Sequence, residues 1–189
     1  MPKIEVNEDI FYSLVGRKWT NQEEFVEALI CAKAELDSEF VPPDLKGPAD
    51  SERTLKIELN DTNRPDLWGT AGIARQLRVY YGGKAPVYPF FSMPGAMKAA
   101  RQKVLVEKSV SKVRPFLAGF IASGKKITDP MLRDMIQTQE KLAWNFGRKR
   151  RSISMGIYRT DIIKWPIIYR AVDPDSVSFV PLQWDVLLT

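Results

Sequence analysis

Alternating apolar and polar residues open the chain and predict a short strand. In residues 3–6 (KIEV), two apolar side chains alternate with two charged ones, which is the pattern of a strand with one buried face. Asn7 can then cap a helix that runs to Val15, because its side-chain oxygen can accept a hydrogen bond from the first turn. Gly16 follows, and glycine commonly ends a helix.

A capping box predicts the second helix. Thr20 stands three residues before Glu23, a spacing at which each side chain can bond to the other residue's backbone N–H group. The helix is expected to end near Asp37. Its apolar residues are Phe25, Val26, Leu29 and Ile30.

The following apolar pattern has the period of a strand. Residues 41–52 (VPPDLKGPADSE) contain three prolines and a glycine, which predicts a loop. Leu55, Ile57 and Leu59 then alternate with charged residues, and this period predicts a half-buried strand.

Residues 60–83 predict a turn followed by a helix. Asn63 favours the turn, and Arg64 before Pro65 prevents an early helix. Asp66 can cap a helix that Gly82 and Gly83 end and that carries Ile73, Leu77 and Tyr80. Two interpretations stay open. Either Arg64 holds the turn in a packing unit, or Asn63, Arg64 and Asp66 form a binding surface.

A change of composition marks a boundary in the middle of the chain. Residues 84–101 contain three prolines and several aromatic residues, and they predict a linker. Beyond the linker, Val104 and Val106 alternate as in a strand. Residues 114–123 (RPFLAGFIAS) predict a longer and more apolar strand, suited to the interior of a sheet.

One polar side chain falls on the apolar face of the next predicted helix. After a turn at Lys125 and Lys126, Asp129 and Pro130 occupy the N-cap and first helical positions. At 100° per residue, Gln139 projects near the centre of an arc of apolar side chains. A buried amide needs hydrogen-bond partners, so Gln139 is either a satisfied core residue or a pocket-lining one. The arc consists of Leu132, Met135, Ile136, Leu142, Ala143 and Phe146.

Four consecutive cations follow the glycine that closes this helix. Cations at a helix C-terminus stabilise its last turn, so an electrostatic cap accounts for the run without a ligand. Arginine side chains can also bind a phosphate or a carboxylate through forked N–H groups. A strand is predicted over residues 153–157, and it places Arg150 and Arg151 on opposite faces. The run is Arg148, Lys149, Arg150 and Arg151.

The remaining pattern predicts short elements. After Tyr158 we expect a helical turn, the Trp165–Pro166 pair, a strand, a turn at residues 173–176 (DPDS) and another short strand. The fold class predicted from pattern alone is a mixed α+β protein in two parts.

Composition excludes most common hydrolase sites. The 189 residues contain no histidine and a single cysteine, Cys31. Ser-His-Asp triads, Cys-His dyads, histidine-ligated metals, an intramolecular disulfide and cysteine-based zinc sites are therefore excluded. The sequence also lacks a glycine-rich phosphate loop, a paired-carboxylate signature and a run of membrane-spanning length. We expect no metal site, no membrane association and a cytoplasmic location.

Charge divides the chain more sharply than composition does. Residues 1–66 carry 8 Lys/Arg and 15 Asp/Glu, a net charge of −7, whereas residues 67–189 carry 20 and 8, a net charge of +12. A basic half is typical of proteins that bind phosphate-rich partners, although such charges are also found on ordinary solvated faces.

Several separated segments resemble one family. Residues 63–78 (NRPDLWGTAGIARQLR) closely resemble the NRPDLLSxxGIARxL signature of the phenylalanyl-tRNA synthetase β subunit. The segments VRPFLAGFIAS (113–123), QEKLAWNFGRKRR (139–151) and residues 154–182, with the first 25 residues, resemble the archaeal and eukaryotic form of that subunit. The resemblance spans almost the whole chain, in the family's order.

This resemblance implies a place in a synthetase complex. It implies an α subunit that carries class II aminoacylation, ATP and Mg²⁺, joined to the β subunit in an (αβ)₂ heterotetramer that acts on phenylalanine tRNA. It implies no cofactor and no catalytic residue in this chain. Residues 1–83 would form a small N-terminal α/β module, residues 84–101 a linker, and residues 102–189 the first part of a mixed-sheet editing domain.

The editing domain of this family hydrolyses tyrosine mistakenly attached to the phenylalanine tRNA. A synthetic pocket rejects an added hydroxyl imperfectly, so a second pocket with polar partners can select it. The resemblance implies that Gln139, Arg148 and Arg150 line this pocket. The family's usual histidine is Ala143 here. Hydrolysis would then depend on an oriented water, with substrate positioning and backbone or arginine donors stabilising the oxyanion.

Further cations are candidates for contact with tRNA phosphates, namely Lys125, Lys126, Lys149 and Arg151. Because family members continue beyond the position of Thr189, we expect an N-terminal portion of the subunit with weak or absent editing by itself. The alternatives are a freestanding shortened paralogue that binds tRNA or another nucleic acid without catalysis, and a purely structural assembly segment. Nucleic-acid binding through phosphates would fall steeply with salt.

Overall fold

The computed structural model divides the chain into two compact units. It describes residues 3–42, 53–60, 63–82, 84–85, 87–88, 102–124, 126–181 and 184–188. The first unit comprises Met1–Val87 with Lys125–Ile157, and the second comprises Tyr88–Gly124 with Tyr158–Thr189. The fold class, a mixed α+β protein, is confirmed.

A three-stranded antiparallel sheet forms one side of the first unit. Its strands are β1 (Lys3–Asn7), β2 (Ala34–Leu36) and β3 (Thr54–Leu59), in the order β1-β3-β2. The strands predicted at residues 3–6 and 55–59 are confirmed, because apolar side chains at every second position fill the core. These buried side chains are Ile4, Val6, Leu55, Ile57 and Leu59.

The first predicted helix is also confirmed. Helix α1 spans Glu8–Val15, and the side chain of Asn7 accepts a hydrogen bond from the backbone N–H of Ile10. Gly16 adopts the left-handed conformation, with φ of 79°, and its N–H donates to the carbonyl of Tyr12. Both ends of the helix therefore lie where the sequence places them.

The second helix begins and ends differently from the prediction. Helix α2 spans Gln22–Cys31, and Asn21 rather than Thr20 is its N-cap, accepting from the N–H groups of Glu23 and Glu24. The helix stops six residues before Asp37. Residues 34–36 instead form β2, where their backbone groups pair with β3, so tertiary pairing prevails over local helix propensity.

Helix α3 completes the core of the first unit. It spans Thr70–Gly82 and follows a 3₁₀ turn, Pro65–Leu67, so Asp66 lies within the turn and does not cap the helix. Ile73 and Leu77 are buried as predicted, whereas Tyr80 is exposed. The same core contains a cluster of buried rings, comprising Phe11, Tyr12, Trp19, Phe25 and Phe40.

A segment distant in sequence packs against this module. Helix α4 spans Asp129–Lys141 with Thr128 as its N-cap, one residue before the predicted position, and a π-helical turn, Leu142–Phe146, continues it. The side chain of Gln137 makes two hydrogen bonds to the backbone of Glu5 in β1, at 2.7 and 2.8 Å. Thr70 donates a hydrogen bond to Asp134. Residues 125–157 therefore group with residues 1–87 in one compact unit.

Only the end of the predicted apolar arc, Leu142 and Ala143, is packed or buried. Leu132, Ile136 and Phe146 are exposed, and Ala143 is the member of the arc that is buried. The contacts to the module come from polar residues and from Leu142, which packs against the core. Apolar periodicity therefore identified the helix but not the face that packs.

The second unit contains a small parallel sheet. Strand β4 (Val104–Val106) pairs with β5 (Ile167–Tyr169), which confirms both predicted strands. The predicted turns near residues 160 and 174 are 3₁₀ turns, Thr160–Ile162 and Pro174–Ser176, and Lys108–Lys112 forms another. Phe179 pairs with Leu188 in an isolated bridge.

Two predicted strands are wrong. Residues 114–123 and 153–157 adopt no regular structure, although both are rich in apolar residues. Phe116 and Phe120 are each 90% exposed. A strand needs a neighbour for its N–H and C=O groups, and within the part of the chain that is described neither segment has one.

Some predictions fall outside the described residues. They concern most of the loop at 41–52, most of the linker at 84–101, and Lys125. Among the described residues, no helix is long and apolar enough to cross a membrane.

Candidate functional site

Glu140 connects two of the predicted site residues. Arg150 donates from Nη2 to both carboxylate oxygens of Glu140, at 2.6 and 2.8 Å. Gln139, which is half-buried on α4, donates from Nε2 to Oε1 of the same carboxylate at 3.5 Å. Gln139 and Arg150 are therefore brought together through a residue that the sequence analysis did not single out.

An unusual backbone reversal carries Arg150 back towards the helix. Arg148, Lys149 and Arg150 are consecutive left-handed residues, with φ of 51°, 57° and 66°. Their N–H groups donate to the carbonyls of the π-helical turn, at 3.1, 2.7 and 2.8 Å to residues 145, 144 and 143. These hydrogen bonds satisfy the end of the helix and offset the strain of three non-glycine residues at positive φ.

Gly147 is required where the reversal begins. A Cβ atom at this position would lie 2.3 Å from the carbonyl oxygen of Ile153 and 2.4 Å from that of Ala143. Both contacts are with backbone, so a side chain could not be accommodated by a change of rotamer. The close approach of these carbonyls fixes the path of the basic residues that follow.

The basic residues present positive charge at the end of the helix. Arg148, Lys149 and Arg151 are exposed, and the ammonium group of Lys149 lies 5.5 Å from the ring centroid of Trp144. Lys126 is also exposed. The arrangement offers N–H donors and positive charge for a phosphate, a carboxylate or a carbonyl oxygen.

The other candidate site lies in the turn that precedes α3. Arg64 donates from two nitrogens to the two oxygens of Asp66, each at 2.9 Å, and Arg75 lies 3.7 Å from the same carboxylate. The Arg64 guanidinium holds the pKa of Asp66 below its usual range. Asn63 is exposed. In this geometry Arg64 and Asp66 stabilise the turn by bonding to each other.

Sequence reasoning missed the residues that attach α4 to the module. Asp134 and Gln137 are polar helix residues without a distinctive pattern, and their partners lie 64 and 132 residues away. Burial raises the pKa of the Asp134 carboxyl, an effect that its hydrogen bonds with Thr70 oppose. No local signal could identify these contacts, but they position the helix that carries Gln139 and Glu140.

Within the described ranges, no three histidine, cysteine, aspartate or glutamate side chains are grouped so that they could hold a metal ion. What the cluster of Gln139, Glu140 and Arg150 provides is hydrogen bonding and charge.

Comparison with known proteins gives matches over the whole chain. The phenylalanine–tRNA ligase β subunit of Borreliella burgdorferi (strain ZS7) is 44% identical over 189 residues, which is 100% of this chain and 31% of that protein. The β subunit of Treponema pallidum subsp. pallidum is 40% identical, covering 100% of this chain and 36% of that protein. The chain thus spans about a third of the length of these curated relatives. No family model matches.

A solved structure has the same fold. The N-terminal fragment of the phenylalanyl-tRNA synthetase β subunit from Pyrococcus horikoshii superposes with a TM-score of 0.76 and 31% sequence identity, over 100% of this chain and 50% of that one. Both comparisons agree on the same protein, from bacteria in one case and from Pyrococcus in the other. Along its whole length, the chain is therefore similar in sequence and in fold to the N-terminal region of the phenylalanine–tRNA ligase β subunit.

Proposed function

We propose that this chain provides the N-terminal part of a phenylalanine–tRNA ligase β subunit and acts within the synthetase complex. The observation that carries the proposal is the match of all 189 residues to β subunits, at 44% identity in one relative. The partners proposed are the α subunit, in an (αβ)₂ heterotetramer, and phenylalanine tRNA. The class II chemistry, ATP and Mg²⁺ belong to the α subunit, and the complex is cytoplasmic.

The form of the subunit is part of this proposal. We assign the chain to the archaeal and eukaryotic form, which its bacterial relatives would then share. The 31% identity to the Pyrococcus horikoshii fragment, over the whole chain, supports this assignment.

Co-expression tests the assembly. The full-length β subunit that contains this sequence should co-purify with its α subunit and charge phenylalanine tRNA with phenylalanine. A β subunit lacking residues 1–189 should lose this activity or the assembly itself. If the full-length pair neither associates nor aminoacylates, the proposal is wrong.

The second part of the proposal is a contribution to editing. Gln139, Glu140 and Arg150 form a connected set of donors and acceptors at the end of α4, and Arg148 lies beside it in the reversal. A fixed polar group can select the tyrosyl hydroxyl, since a site built to bond a hydroxyl discriminates more strongly than one that only fits an apolar ring. Glu140 orients Arg150, and Gln139 is the neutral side chain of the three that can both donate and accept a hydrogen bond.

The chain's own residues would position the substrate and not activate a nucleophile. With Ala143 where the family has histidine, the chain offers no imidazole base. Hydrolysis would then depend on a held water and on donors directed at the developing oxyanion. Arg148 and Arg150 are the candidate donors, and Lys149, Arg151, Lys125 and Lys126 are candidates for contact with tRNA phosphates.

Deacylation of Tyr-tRNA by the assembled enzyme tests the editing role. Gln139→Ala and Arg150→Ala should each lower the deacylation rate by about tenfold or more, because each removes a hydrogen bond made to the substrate. Gln22→Ala is the matched control, since Gln22 is an exposed helical glutamine on α2. Charging with phenylalanine should remain unchanged in all three variants. Deacylation at the wild-type rate by both site variants would contradict the editing proposal.

A second candidate function is nucleic-acid binding by a shortened, freestanding protein. The net charge of +12 over residues 67–189 and the exposed cations of residues 148–151 favour it. The chain alone should then bind tRNA with an affinity that falls steeply as salt rises. Lack of tRNA binding by the chain alone would remove this candidate.

A further inference from the structure

A stack of aromatic and basic side chains lies at the end of α3 in the first unit. The Arg17 guanidinium lies over the ring of Tyr81, 4.8 Å from its centroid, and 5.5 Å from the ring centroid of Trp19. Tyr81 in turn contacts Trp19 at 5.8 Å and Tyr80 at 5.1 Å between centroids. Because Trp19 is a buried core residue, the stack is anchored in the core of the unit.

The outer part of this stack is accessible. Tyr80 is 61% exposed and Tyr81 42%, and the two rings meet nearly at right angles, at 85°. Two further cations are exposed, Lys18, which follows Arg17 in the sequence, and Arg78, one helical turn before Tyr81 on α3. We call Arg17, Lys18, Arg78, Tyr80 and Tyr81 the aromatic–basic patch.

The charge of the patch is positive although the N-terminal sequence is acidic overall. Residues 1–66 carry a net charge of −7, but three of the five patch residues are cations. Glu24 lies 3.9 Å from Arg17, and both side chains are largely exposed, while Asp9 lines the same surface pocket as Arg17 and Lys18. An exposed ion pair at this separation contributes little, so a phosphate can replace Glu24 as the partner of Arg17.

We propose that the aromatic–basic patch binds single-stranded RNA, stacking unpaired bases on Tyr80 and Tyr81 and contacting the adjacent phosphates through Arg17, Lys18 and Arg78. Exposed rings flanked by cations are the usual surface for single strands, since every base has a face that can stack. An RNA duplex keeps its bases stacked on each other and has none to offer to the tyrosines. The Arg17 guanidinium over the ring of Tyr81 also favours RNA over an apolar peptide, because it places a positive charge beside a stacking ring.

Two features of the patch suit this ligand. Arg17 is already held by two rings, so less side-chain freedom is lost when its N–H groups meet a phosphate. The patch also lies apart from Gln139 and Arg150 in the sequence and rests on different elements, the end of α1 and the end of α3. The inference does not depend on the editing role, and it stands if the chain acts outside the synthetase complex.

Fluorescence anisotropy of the whole chain with a labelled 12-nucleotide single-stranded RNA tests the proposal. Tyr80→Ala should weaken binding about tenfold, the effect typical of removing one stacking ring, and Tyr80→Phe should retain it. Tyr158→Ala is the matched control, because Tyr158 is an exposed tyrosine of the second unit. Arg17→Gln should also reduce the slope of log Kd against log salt concentration by about one, the effect of losing one phosphate contact.

Residues 148–151 provide a competing basic surface, and two measurements separate it from the patch. A duplex of the same sequence should bind Tyr80→Ala and wild type equally. A single strand that carries 4-thiouridine should cross-link to the peptide containing Tyr80. Unchanged single-strand affinity of Tyr80→Ala, an equal loss for the duplex, or cross-links confined to residues 148–151 would each overturn the proposal. Association with the α subunit is measured separately, so failure here is distinct from failure of the synthetase assignment.

Discussion

Gly72 lies where α3 packs closely against the preceding turn. A Cβ atom there would lie 1.8 Å from the carbonyl oxygen of Asp66 and 3.1 Å from Cα of Leu67. Both are backbone atoms, so the 3₁₀ turn would have to move away from the helix. This close approach explains why a glycine stands inside an otherwise regular helix.

Gly72→Ala should therefore destabilise the protein by about 2 kcal/mol or more, since relief requires backbone displacement. Urea unfolding of wild type and variant measures the difference. Gly82→Ala is the control on the same helix, because a Cβ at Gly82 would meet nothing within 4 Å. Equal urea midpoints for Gly72→Ala and Gly82→Ala would contradict this expectation, because the turn could then move without loss of stability.

Asp134 and Asp66 should respond to pH in opposite ways. Burial raises the pKa of Asp134, so between about pH 3.9 and that raised value the folded state binds more protons than the unfolded one. Stability associated with Asp134 therefore falls as pH rises. Arg64 lowers the pKa of Asp66, and the stability associated with that charge is lost as pH falls.

Asp134→Asn should consequently be more stable than wild type at pH 7, because asparagine can still accept the hydrogen bond from Thr70 without a buried charge. The advantage should disappear below about pH 4, where the aspartate of the wild type is protonated. Asp66→Asn should show the reverse, a loss of stability at pH 7 that vanishes in acid. Chemical denaturation at the two pH values provides the measurement, and a destabilised Asp134→Asn at pH 7 would contradict the assignment.

One glutamine side chain of helix α4, that of Gln137, bonds to the edge strand of the sheet, β1. β1 is at the edge of the sheet, and the N–H and C=O groups of Glu5 would otherwise face water. Gln137 pairs with both, as a neighbouring strand would. One side chain thus joins the helix to the sheet and covers part of its edge.

Gln137→Ala should lower the free energy of unfolding by about 1–2 kcal/mol, the sum of two partly exposed hydrogen bonds. Gln139→Ala provides the matched control two residues further along α4, because the hydrogen bond of Gln139 is made within its own helix. Thermal or urea unfolding distinguishes them. If the two variants unfold alike, the contact with Glu5 contributes nothing to stability.

Elements with local signals could be predicted from the sequence. Asn7 and Gly16 sit at the two ends of α1 because a capping oxygen and a left-handed glycine act on adjacent backbone. The period-2 pattern of residues 55–59 also suffices, since one face of β3 packs on the core. In these cases, the interaction that decides the structure lies within a few residues of the signal.

Two segments whose structure depends on the presence or absence of a distant partner were predicted wrongly. Residues 34–36 are a strand because β3 lies beside them, and residues 114–123 are not a strand because the described part of the chain gives them no neighbour. In the candidate site, Gln139 and the cations could be found from their pattern. The role of Glu140 could not, because its pairing with Arg150 depends on the left-handed reversal.

The first unit is built from two stretches of sequence. Residues 125–157 group with residues 1–87, although a linker-like composition and a change of charge separate them along the chain. The composition of residues 84–101 indicates where the first stretch of the unit ends, but it does not indicate that residues 125–157 belong to the same unit. That return is determined by the contacts of Asp134, Gln137 and Leu142.

A chain ending at Gly82 should therefore be less stable than the whole chain, by about 2–4 kcal/mol from two hydrogen bonds to β1, one to Thr70 and the packing of Leu142. The urea midpoint of the short chain measures this loss. A peptide of residues 126–157, added in excess, should raise the midpoint again by mass action. A short chain as stable as the whole one, with no response to the peptide, would contradict this account of the unit.

The bond between Gln137 and Glu5 also has a consequence for synthesis on the ribosome. The two residues are 132 positions apart, so at about 5–20 residues per second roughly 7–26 seconds pass between the synthesis of β1 and that of Gln137. Throughout that interval the outer edge of β1 can pair with a strand of another nascent chain on the same messenger. In the finished protein Gln137 occupies this edge at Glu5, so the risk of pairing with another chain is greatest during translation.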